Sequence, residues 1–375
     1  MTEAARALED EARSGGALER AFPELAEAFP RLPCTTLPTR VHRLEKLGTE
    51  LDVELWVKRD DETGTLYGGN KPRKLEFLLG DARRKGKRSI LTFGGIGTNH
   101  GLATALYGRR HGFSVVLVLL RQPVTSKVRH GLLLCRAAGA ELHYAPSLGQ
   151  LVARTLGILV RRGARGDLPY VVPTGGSSPV GVLGFVDAAL ELKEQIAQGL
   201  LPEPGWVFVP VGTAGTLAGL VLGFRLAGLS TRVAGVLVTD ILPPTRKRVL
   251  GLVRATHELL RRKLPSLPDL DLAAEPFRLV HGFVGPGYGT PTASARAARD
   301  EVAELEGLKT ETTYTAKCLA ALRELARLEP YRTGPVLYWH TYSGVDPTDQ
   351  LGTLPDFREL PDEFHPLFEG PPVPD

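Results

Sequence analysis

A lysine followed by a proline lies at the start of one predicted helix, where it could act as an amine nucleophile. The segment reads Gly-Gly-Asn-Lys-Pro over residues 68–72, and proline is common in the first turn of a helix. Lys71 therefore lies at a helix N-terminus, whose partial positive charge disfavours an ammonium group. A lysine whose charged form is destabilised suits Schiff-base chemistry. Taken alone, the segment also fits a surface lysine beside a turn.

A second segment, Gly212-Thr213-Ala214-Gly215-Thr216, joins a predicted strand to a predicted helix. Backbone N–H groups and threonine hydroxyls at such a turn can bind a phosphate. The segment lacks both the Gly-Lys-Ser/Thr ending of a Walker loop and the GxGxxG pattern of a dinucleotide site. It therefore favours a small monophosphate over a pyrophosphate, although a simple tight turn could have the same composition.

A third segment, residues 94–100, also joins a strand to a helix and reads Gly-Gly-Ile-Gly-Thr-Asn-His. Its backbone amides could bind a substrate carboxylate, and Asn99 could hold a ring hydroxyl. We therefore predict that Thr98, Asn99 and His100 contribute to substrate binding. A histidine in such a position is nevertheless more often a structural cap than a catalyst.

Strands and helices alternate along the part of the chain that carries these segments. The predicted strands are 54–58, 89–95, 113–120, 206–211 and 232–239, and the predicted helices are 74–85, 99–112, 185–199 and 216–228. Strands that alternate with helices of this length indicate parallel sheets with helices on both faces. The sequence therefore predicts an α/β fold.

Composition argues against several classes of function. The 375 residues are enough for two lobes, and 46 Lys and Arg against 42 Asp and Glu give a formal charge of only +4. This small excess is not typical of a nucleic-acid-binding protein. No apolar stretch reaches the roughly 18 residues of a membrane helix, and the acidic start is not a signal peptide. The widely spaced Cys34, Cys135 and Cys318 indicate no zinc site or disulfide framework, so we expect no metal and a cytoplasmic location.

Seven motifs, in this order along the chain, resemble one family of enzymes. They are VKRDD (57–61), YGGNKPRKLEFLL (67–79), TFGG…NH (92–100), PTGGSSPVGVLGF (173–185), GTAGTLAGL (212–220), PGYGTP (286–291) and TYTAK (313–317). They are similar to motifs of the aminocyclopropane-carboxylate deaminases and D-cysteine desulfhydrases. These are pyridoxal-phosphate enzymes of the tryptophan-synthase-β fold type, and the resemblance covers roughly residues 35–345.

The resemblance implies a two-domain, fold-type-II enzyme in which each domain is a mostly parallel sheet flanked by helices. We expect a larger cofactor-binding domain (31–73 and 185–346) and a smaller domain (74–184). An N-terminal helical extension (1–30) and a C-terminal tail (347–375) complete the chain. The resemblance also implies pyridoxal 5'-phosphate as cofactor, a small amino-acid substrate and a homodimer, with no nucleic-acid or membrane partner.

The resemblance also implies roles for single residues. Lys71 would hold the cofactor as a Schiff base and move the proton at the substrate α-carbon. Tyr288 and Tyr314 would line the substrate side of the cofactor ring. Asn99 would contact the ring oxygen of the cofactor, and residues 212–216 would bind its phosphate.

Thr315 bears on which activity of the family this chain has, because the resemblance implies that it faces the pyridine nitrogen. The deaminases have a glutamate there, which keeps the nitrogen protonated and the ring a strong electron sink. A neutral threonine hydroxyl holds that proton less firmly. The resemblance therefore implies β-elimination, as in the desulfhydrases, rather than aminocyclopropane-carboxylate deamination. Aminocyclopropane-carboxylate deamination stays the first alternative, followed by a racemase or β-replacement enzyme on the same fold and by a catalytically silent cofactor-binding protein.

Two departures from the family pattern concern the substrate more than the cofactor. The family usually has a glutamine and a serine before Asn-His, where this chain has Gly97 and Thr98. The late His-Thr-Gly-Gly motif reads His-Thr-Tyr-Ser-Gly over residues 340–344. Gly97 lacks an amide that could reach the substrate, and Tyr342 adds an aromatic ring near the cofactor. We therefore expect a reshaped substrate pocket, and the identity and stereochemistry of the substrate stay open.

Overall fold

A computed structural model describes residues 15–270 and 276–374 of the chain. Its strands are β1 (Val41–Arg43), β2 (Leu55–Lys58), β3 (Ser89–Gly95), β4 (Ser114–Leu120), β5 (Glu141–Ala145), β6 (Tyr170–Val172), β7 (Trp206–Val211), β8 (Arg232–Leu237), β9 (Phe277–Val280) and β10 (Val336–Trp339). Its α-helices are α1 (Ala17–Ala21), α2 (Glu45–Leu51), α3 (Asn70–Arg84), α4 (Asn99–Arg110), α5 (Ser126–Ala137), α6 (Leu148–Gly163), α7 (Pro179–Ala197), α8 (Gly215–Leu226), α9 (Arg246–Arg261), α10 (Ala293–Glu306), α11 (Thr315–Leu325) and α12 (Thr348–Leu351). Within these described ranges, no helix is long and apolar enough to span a membrane.

The strands form two sheets. The larger sheet has six strands in the order β1-β2-β10-β7-β8-β9, and the smaller has four in the order β5-β4-β3-β6. Neighbouring strands are parallel except for β1 and β2. All six residues of β7 are buried, as expected for a parallel strand that is covered on both faces. The predicted α/β architecture with mostly parallel sheets is therefore confirmed.

The strands of the smaller sheet lie between residues 89 and 172, inside the predicted smaller domain. Helices α3, α4 and α5 share a core on one face of this sheet, and α6 packs on the other. Helices α7, α8 and α9 share a core on one face of the larger sheet, whereas α10 and α11 pack on its other face. The exact residues at which one domain passes into the other stay a prediction.

Strand bounds follow the predictions more closely than helix bounds do. Strands β3 and β7 coincide with their predicted ranges. Helix α3 begins at Asn70, before the predicted start at residue 74, because Gly69 precedes it with a φ of 82° that favours glycine. Helix α7 begins at Pro179 rather than residue 185. The Ser178 hydroxyl accepts a hydrogen bond from the Gly181 N–H there and caps the helix.

Both ends of the described chain pack against the folded cores. Residues 1–14 of the predicted N-terminal extension lie outside the described residues. The remainder of the extension forms α1 and a short 3-10 helix at Pro23–Leu25, and its Leu18 and Leu25 are buried in the core that contains α7. In the C-terminal tail, Leu360 and Phe364 are buried in the same core as α4 and α5.

A buried ionic network fixes the first turn of α3 to the larger sheet. The Arg73 guanidinium donates to Asp60 (Nη2 to Oδ1, 2.7 Å) and to Glu191 (Nη1 to Oε2, 3.0 Å). Lys58 Nζ donates to Glu191 Oε1 at 2.5 Å, and Trp339 Nε1 donates to Asp60 Oδ2 at 2.7 Å. The four charged side chains are at most 2% exposed. Because two are positive and two are negative, the network is neutral, and removing any one member would leave a buried charge without compensation.

Close packing of α7 against α3 brings the members of this network together. A Cβ atom at Gly184 would lie 2.2 Å from the carbonyl oxygen of Arg73, so only glycine allows this approach. Burial by itself would raise the pKa of Glu191, but Arg73 and Lys58 outweigh burial and hold that pKa well below its usual range. The Glu191 carboxylate is therefore ionised in the folded protein at neutral pH.

Arg73→Met should lower the free energy of unfolding by about 3–5 kcal/mol, because it leaves two buried carboxylates with a single cation. Denaturant titration measures this loss. Arg40→Met is the matched control, since it removes an exposed pair with Glu62 and should cost about 1 kcal/mol or less.

The same network predicts how stability depends on pH. The folded-state pKa of Glu191 lies below its ordinary value of 4.5, so its contribution is present above that pH and is lost as the pH falls. The Arg73→Met protein should therefore lose less stability on acidification than the parent.

If Arg73→Met and Arg40→Met lowered the free energy of unfolding equally at neutral pH, the stabilising role given to the network would be contradicted.

Candidate active site

The three segments singled out in the sequence meet in one cavity, the inner cavity, which has a volume of about 160 Å³. It lies at the carboxyl ends of β3 and β4 in the smaller sheet and of β7, β8 and β10 in the larger sheet. Parallel α/β sheets bind their ligands at such strand ends. Every predicted site residue lines this cavity: Lys71, Thr98, Asn99, His100, Gly212, Thr213, Ala214, Gly215, Thr216, Tyr288, Tyr314 and Thr315.

Lys71 is the second residue of α3, and its side chain lines the inner cavity. Burial lowers the pKa of its ammonium group to about 8. A pKa this close to neutrality leaves part of the amine unprotonated, as a lysine nucleophile requires. The structure therefore supports the expected loss of ammonium character, with burial as the main cause in addition to the helix N-terminus.

The segment from Gly212 to Thr216 forms the turn between β7 and α8. Ala214 has a φ of 70°, and non-glycine residues in this left-handed region cluster at functional sites. Ser177 holds the turn in place, because its Oγ accepts from the Gly215 N–H at 3.1 Å and is 2.7 Å from Thr213 Oγ1. Successive N–H groups in such a turn at a helix N-terminus form an anion-binding concavity.

Lys74, which the sequence analysis did not single out, completes this concavity. Its side chain is 2% exposed, and its Nζ donates to the Gly175 carbonyl at 3.3 Å. No carboxylate pairs with it among residues 15–270 and 276–374. Burial, and then the charge of Lys71, lower the pKa of Lys74 well below its usual range. A Cβ atom at Gly215 would lie 2.9 Å from this Nζ, so a buried amine without an anionic partner faces the N-terminus of α8.

These features fit a phosphate monoester, which would pair with Lys74 and accept hydrogen bonds from the N–H groups of the turn. A sequence signal for Lys74 did exist, because it follows Lys71 by one helical turn and therefore lies on the same face of α3. On the other side of the inner cavity, Tyr67 Oη donates to Asn99 Oδ1 at 3.1 Å. The Asn99 amide NH₂ is consequently the group that could donate to a ring oxygen.

The side chains of Thr98 and His100 already have structural partners. Thr98 Oγ1 accepts from the Gly101 N–H at 3.1 Å and caps α4. His100 Nε2 is 3.0 Å from Thr92 Oγ1. Burial, and then the charges of the two nearby lysines, lower the pKa of His100 well below its usual range, so the imidazole is neutral. Substrate binding by these two residues stays a prediction, and His100 Nδ1, the other ring nitrogen, is buried without a partner in the described ranges.

Tyr288 and Tyr314 form a hydrogen-bonded pair through their hydroxyl groups. Their rings meet edge to face with centroids 5.9 Å apart. Burial raises the pKa of both hydroxyls, and that of Tyr314 most. The Tyr288 N–H donates to Asp240 Oδ1 at 2.8 Å, which holds the loop before α10 against the cavity. The pair therefore offers protonated hydroxyl groups to the inner cavity.

Glu311, a second residue that the sequence analysis missed, lies beside Thr315 in the wall of the inner cavity. Its carboxylate caps α11 by accepting from the N–H groups of Thr313, Tyr314 and Thr315 at 2.8–2.9 Å. Thr315 Oγ1 is 3.1 Å from Glu311 Oε1 and accepts from the Glu311 N–H at 3.0 Å. The Thr315 hydroxyl is thus part of a helix cap, and its position opposite a pyridine nitrogen stays a prediction.

Comparison with known proteins identifies the family. Residues 35–341 match the family described as "Pyridoxal-phosphate dependent enzyme". The chain belongs to this family. The concavity formed by Lys74 and the turn before α8 lines the same cavity as the Lys71 amine, which fits a cofactor with both a phosphate and an aldehyde. The predicted pyridoxal-phosphate cofactor is therefore confirmed.

Several relatives within the family cover most of the chain. D-cysteine desulfhydrase of Klebsiella pneumoniae is 34% identical over 319 residues, 84% of this chain and 94% of the relative. A putative 1-aminocyclopropane-1-carboxylate deaminase of Pyrococcus abyssi is 34% identical over 81% of this chain and 88% of its own length. Nocardicin C-9' epimerase of Nocardia uniformis subsp. tsuyamanensis is 34% identical over 88% of this chain and 97% of its own length.

Solved structures agree with this assignment. The crystal structure of an ACC deaminase homologue superposes with a TM-score of 0.75 at 29% identity and covers 88% of this chain and 98% of that chain. Threonine deaminase isoform 2 of Solanum lycopersicum superposes with a TM-score of 0.57 at 19% identity, covers 88% of this chain and 86% of that chain, and shows the shared fold. The predicted family and the fold-type-II architecture are confirmed.

Gly215→Asp should weaken cofactor binding about ten- to a hundredfold, since a charge-assisted hydrogen bond is worth about 1.5–3 kcal/mol. The new carboxylate would meet Ser177 Oγ and Lys74 Nζ and would neutralise the cation that the phosphate needs. Titration of the cofactor-free protein with pyridoxal phosphate, followed by absorbance, gives the dissociation constant.

Gly251→Asp is the matched control, because a Cβ atom at Gly251 meets no other atom within 4 Å. It introduces the same charge on the exposed face of α9 and should leave the affinity unchanged. If Gly215→Asp bound the cofactor as tightly as this control, the turn before α8 would not be the phosphate site.

Proposed function

We propose that this pyridoxal-phosphate enzyme catalyses β-elimination from a small amino acid, as its desulfhydrase relatives are named to do with D-cysteine. The observation that carries the proposal is the shared position of the Lys71 amine and the Tyr288–Tyr314 hydroxyl pair on the inner cavity. An α-proton has to leave and the departing β-group has to gain a proton. This arrangement supplies an amine for the first task and hydroxyls for the second.

The cofactor, when bound, withdraws electrons from the substrate α-carbon, and the remaining tasks belong to side chains of the chain. The Lys71 amine anchors the cofactor and takes up the α-proton, because its pKa of about 8 suits a base near neutral pH. The tyrosine hydroxyls keep their protons until a departing sulfur or oxygen accepts one, because burial raises the pKa of both groups.

Thr315 supports elimination over aminocyclopropane-carboxylate deamination. We propose that its hydroxyl faces the pyridine nitrogen, where a neutral group holds a proton less firmly than a carboxylate does. The nearby Glu311 carboxylate already accepts three backbone N–H groups, so its charge is used to cap α11. Loss of a good β-leaving group requires less stabilisation of the carbanion than cleavage of a cyclopropane ring.

Epimerisation at the α-carbon is a second candidate, because the relative from Nocardia uniformis is named an epimerase. An epimerase removes the α-proton and returns one to the opposite face, and no other bond breaks. The inner cavity has proton-carrying groups on Lys71 and on the tyrosine pair, so it could support this reaction too. The products distinguish the two reactions, because only elimination releases ammonia.

The holoenzyme should convert one enantiomer of cysteine, with one water, into equal amounts of sulfide, pyruvate and ammonium. The assay includes D- and L-cysteine, D- and L-serine and 1-aminocyclopropane-1-carboxylate, and it scores sulfide, 2-oxo acid and ammonia. Inversion of the remaining amino acid is followed by chiral chromatography. Inversion of the amino acid without release of ammonia would show that the reaction is epimerisation and not elimination. Release of ammonia from 1-aminocyclopropane-1-carboxylate and from no other compound would show that it is deamination.

Lys71→Ala provides the catalytic control for this assay. It should abolish turnover and the cofactor adduct that borohydride reduces, since the amine that forms the adduct is gone. Lys193→Ala, at an exposed position on α7, should change neither. Persistence of the reducible adduct in the Lys71→Ala protein would contradict the assignment of Lys71. A holoenzyme that carries the adduct but converts no amino acid would indicate a catalytically silent binding protein.

We also propose that the protein is a homodimer in the cytoplasm. Helix α6 exposes an apolar stripe at a spacing of four residues: Leu148 (54%), Val152 (54%), Leu156 (57%) and Val160 (72%). Exposed aliphatic side chains in one contiguous row are typical of an interaction surface. Such a row, inclined to the helix axis, can pack against its own copy about a two-fold axis. The three cysteines are all buried and unpaired, which supports a reducing compartment.

Sedimentation equilibrium should give about twice the chain mass of 40.5 kDa for the parent protein. Leu156→Glu should shift the equilibrium to the monomer, because it places a charge at the centre of the apolar stripe. Leu328→Glu alters another exposed leucine (48% exposed) away from α6 and should leave the dimer intact. A monomeric parent protein would exclude the homodimer, and an intact Leu156→Glu dimer would exclude α6 as its interface.

A further inference from the structure

A second cavity, the outer cavity, adjoins the inner cavity and has a volume of about 380 Å³. The residues of the candidate phosphate site, Lys74 and 212–216, line the inner cavity and do not line the outer one. The residues that the sequence predicts for the substrate side line both cavities: Thr98, Asn99, Tyr288 and Tyr314. The outer cavity is therefore the space next to the substrate side of the inner cavity. A long group on the β-carbon of a substrate would have to pass the wall that the two cavities share.

Tyr342 also lines both cavities, and the backbone on either side of it is fixed against the start of α3. The Ser343 hydroxyl oxygen accepts a hydrogen bond from the Gly68 N–H at 2.9 Å. The Thr341 carbonyl oxygen accepts one from the Asn70 N–H at 3.2 Å. The backbone of Tyr342 is therefore held beside the first residues of α3, in the wall of the inner cavity.

Lys127 contacts the aromatic ring of Tyr342 from the side of the outer cavity. Its Nζ lies 4.2 Å from the centroid of this ring, within the range of a cation–π contact. Lys127 is the second residue of α5 and lines the outer cavity but not the inner one. Tyr342 thus connects the start of α3 to the start of α5, and its ring has a contact that restricts its orientation.

The tyrosines of the shared wall differ in what their hydroxyl groups contact. Tyr67 donates to Asn99, and the hydroxyl of Tyr288 bonds to that of Tyr314. In the part of the chain that the structure describes, no residue forms a hydrogen bond with the Tyr342 hydroxyl. What Tyr342 contributes to the wall is therefore the volume of its ring rather than a hydrogen bond.

We propose that Tyr342 determines substrate size by closing the inner cavity toward the outer one, and that the substrate is a β-substituted alanine with a leaving group as small as a thiol or hydroxyl. This inference rests on the proposed β-elimination. For cysteine, the electron pair of the Cα–H bond forms the Cα–Cβ double bond. The pair of the Cβ–S bond leaves with the sulfur, which takes up a proton. With one water, the products are sulfide, pyruvate and ammonium. A longer chain on the sulfur would meet the ring of Tyr342.

The test compares S-methylcysteine with S-propylcysteine, which release thiolates of similar basicity and differ in chain length. Both are used in the enantiomeric form that the enzyme prefers for cysteine. The parent holoenzyme should show a kcat/KM for the methyl compound about tenfold or more above that for the propyl compound, because a single methylene group in a pocket can change this ratio by about that factor. Pyruvate formation measures both rates.

Tyr342→Ala should remove this preference, because loss of the ring joins the two cavities. Tyr342→Phe retains the ring and should retain the preference of the parent. Lys127→Met leaves the ring in place without the cation that restricts it, and should weaken the preference. Lys247→Met, at an exposed position on α9, is the matched control for Lys127→Met and should have no effect.

Three results would overturn the role of Tyr342. They are equal use of the two compounds by the parent, an unchanged preference in the Tyr342→Ala protein, and loss of the preference in the Tyr342→Phe protein, which would assign it to the hydroxyl group. If Tyr342→Ala did not fold, Lys127→Met would decide, and an unchanged preference in that protein would overturn the proposal.

Turnover of cysteine itself distinguishes failure of the proposed reaction from failure of the size limit. If cysteine releases no pyruvate, β-elimination is wrong, and dissociation constants from the change in cofactor absorbance test the size limit instead. The same binding measurement applies if cysteine is converted but neither alkyl compound is. Tighter binding of the methyl compound than of the propyl compound by the parent, but not by the Tyr342→Ala protein, supports the role of Tyr342. Equal or tighter binding of the propyl compound by the parent overturns it.

Discussion

The position of the Lys71 amine depends on the buried guanidinium of Arg73. This side chain joins the first turn of α3 to Asp60, which follows β2, and to Glu191 on α7. Removing such a cation from water is unfavourable unless its carboxylate partners are in place. The helix therefore has one orientation in which the cation is satisfied, and in that orientation Lys71 and Lys74 line the inner cavity. The buried ionic network and the lining of the inner cavity share a single turn of helix.

The basic side chains in the first turn of α3 have opposite environments. Arg73 has two carboxylate partners, whereas Lys71 and Lys74 are buried with no carboxylate partner in the described part of the chain. Pairing keeps the first fully charged, whereas burial makes the other two poorer ammonium groups, and the charge of Lys71 adds to this effect at Lys74. This contrast separates structural from chemical roles within four residues. It also explains why a neutral amine can persist beside a site for an anion.

The sequence predicted those features that are local. The strand-to-helix turns at 94–100 and 212–216 and the lysine beside a proline could each be recognised from neighbouring residues. Their motifs, taken together, predicted the family and the cofactor correctly. Helix starts were less accurate, because Gly69 and Ser178 decide them through backbone conformation and a single hydrogen bond.

The features that sequence reasoning missed depend on contacts between distant segments. Glu311 was overlooked because its role as a cap of α11 appears only once the loop before the helix is folded. The contact between Lys127 and Tyr342 joins α5 to the loop that follows β10, and no local pattern signals it. Lys74 had a helical-spacing signal, but its lack of a carboxylate partner is a property of the tertiary structure.

Lys74, which has no carboxylate partner in the described residues, also links cofactor binding to the uptake of a proton by its own amine. In the protein without an anion, burial favours the neutral amine, whereas a phosphate beside it would favour the ammonium form. Uptake of the cofactor is then accompanied by uptake of a proton, so the two equilibria are thermodynamically linked. Acidic conditions would favour loading at this position and alkaline conditions would favour release. A residue that contributes no bond to the reaction could in this way set the pH range over which the enzyme keeps its cofactor.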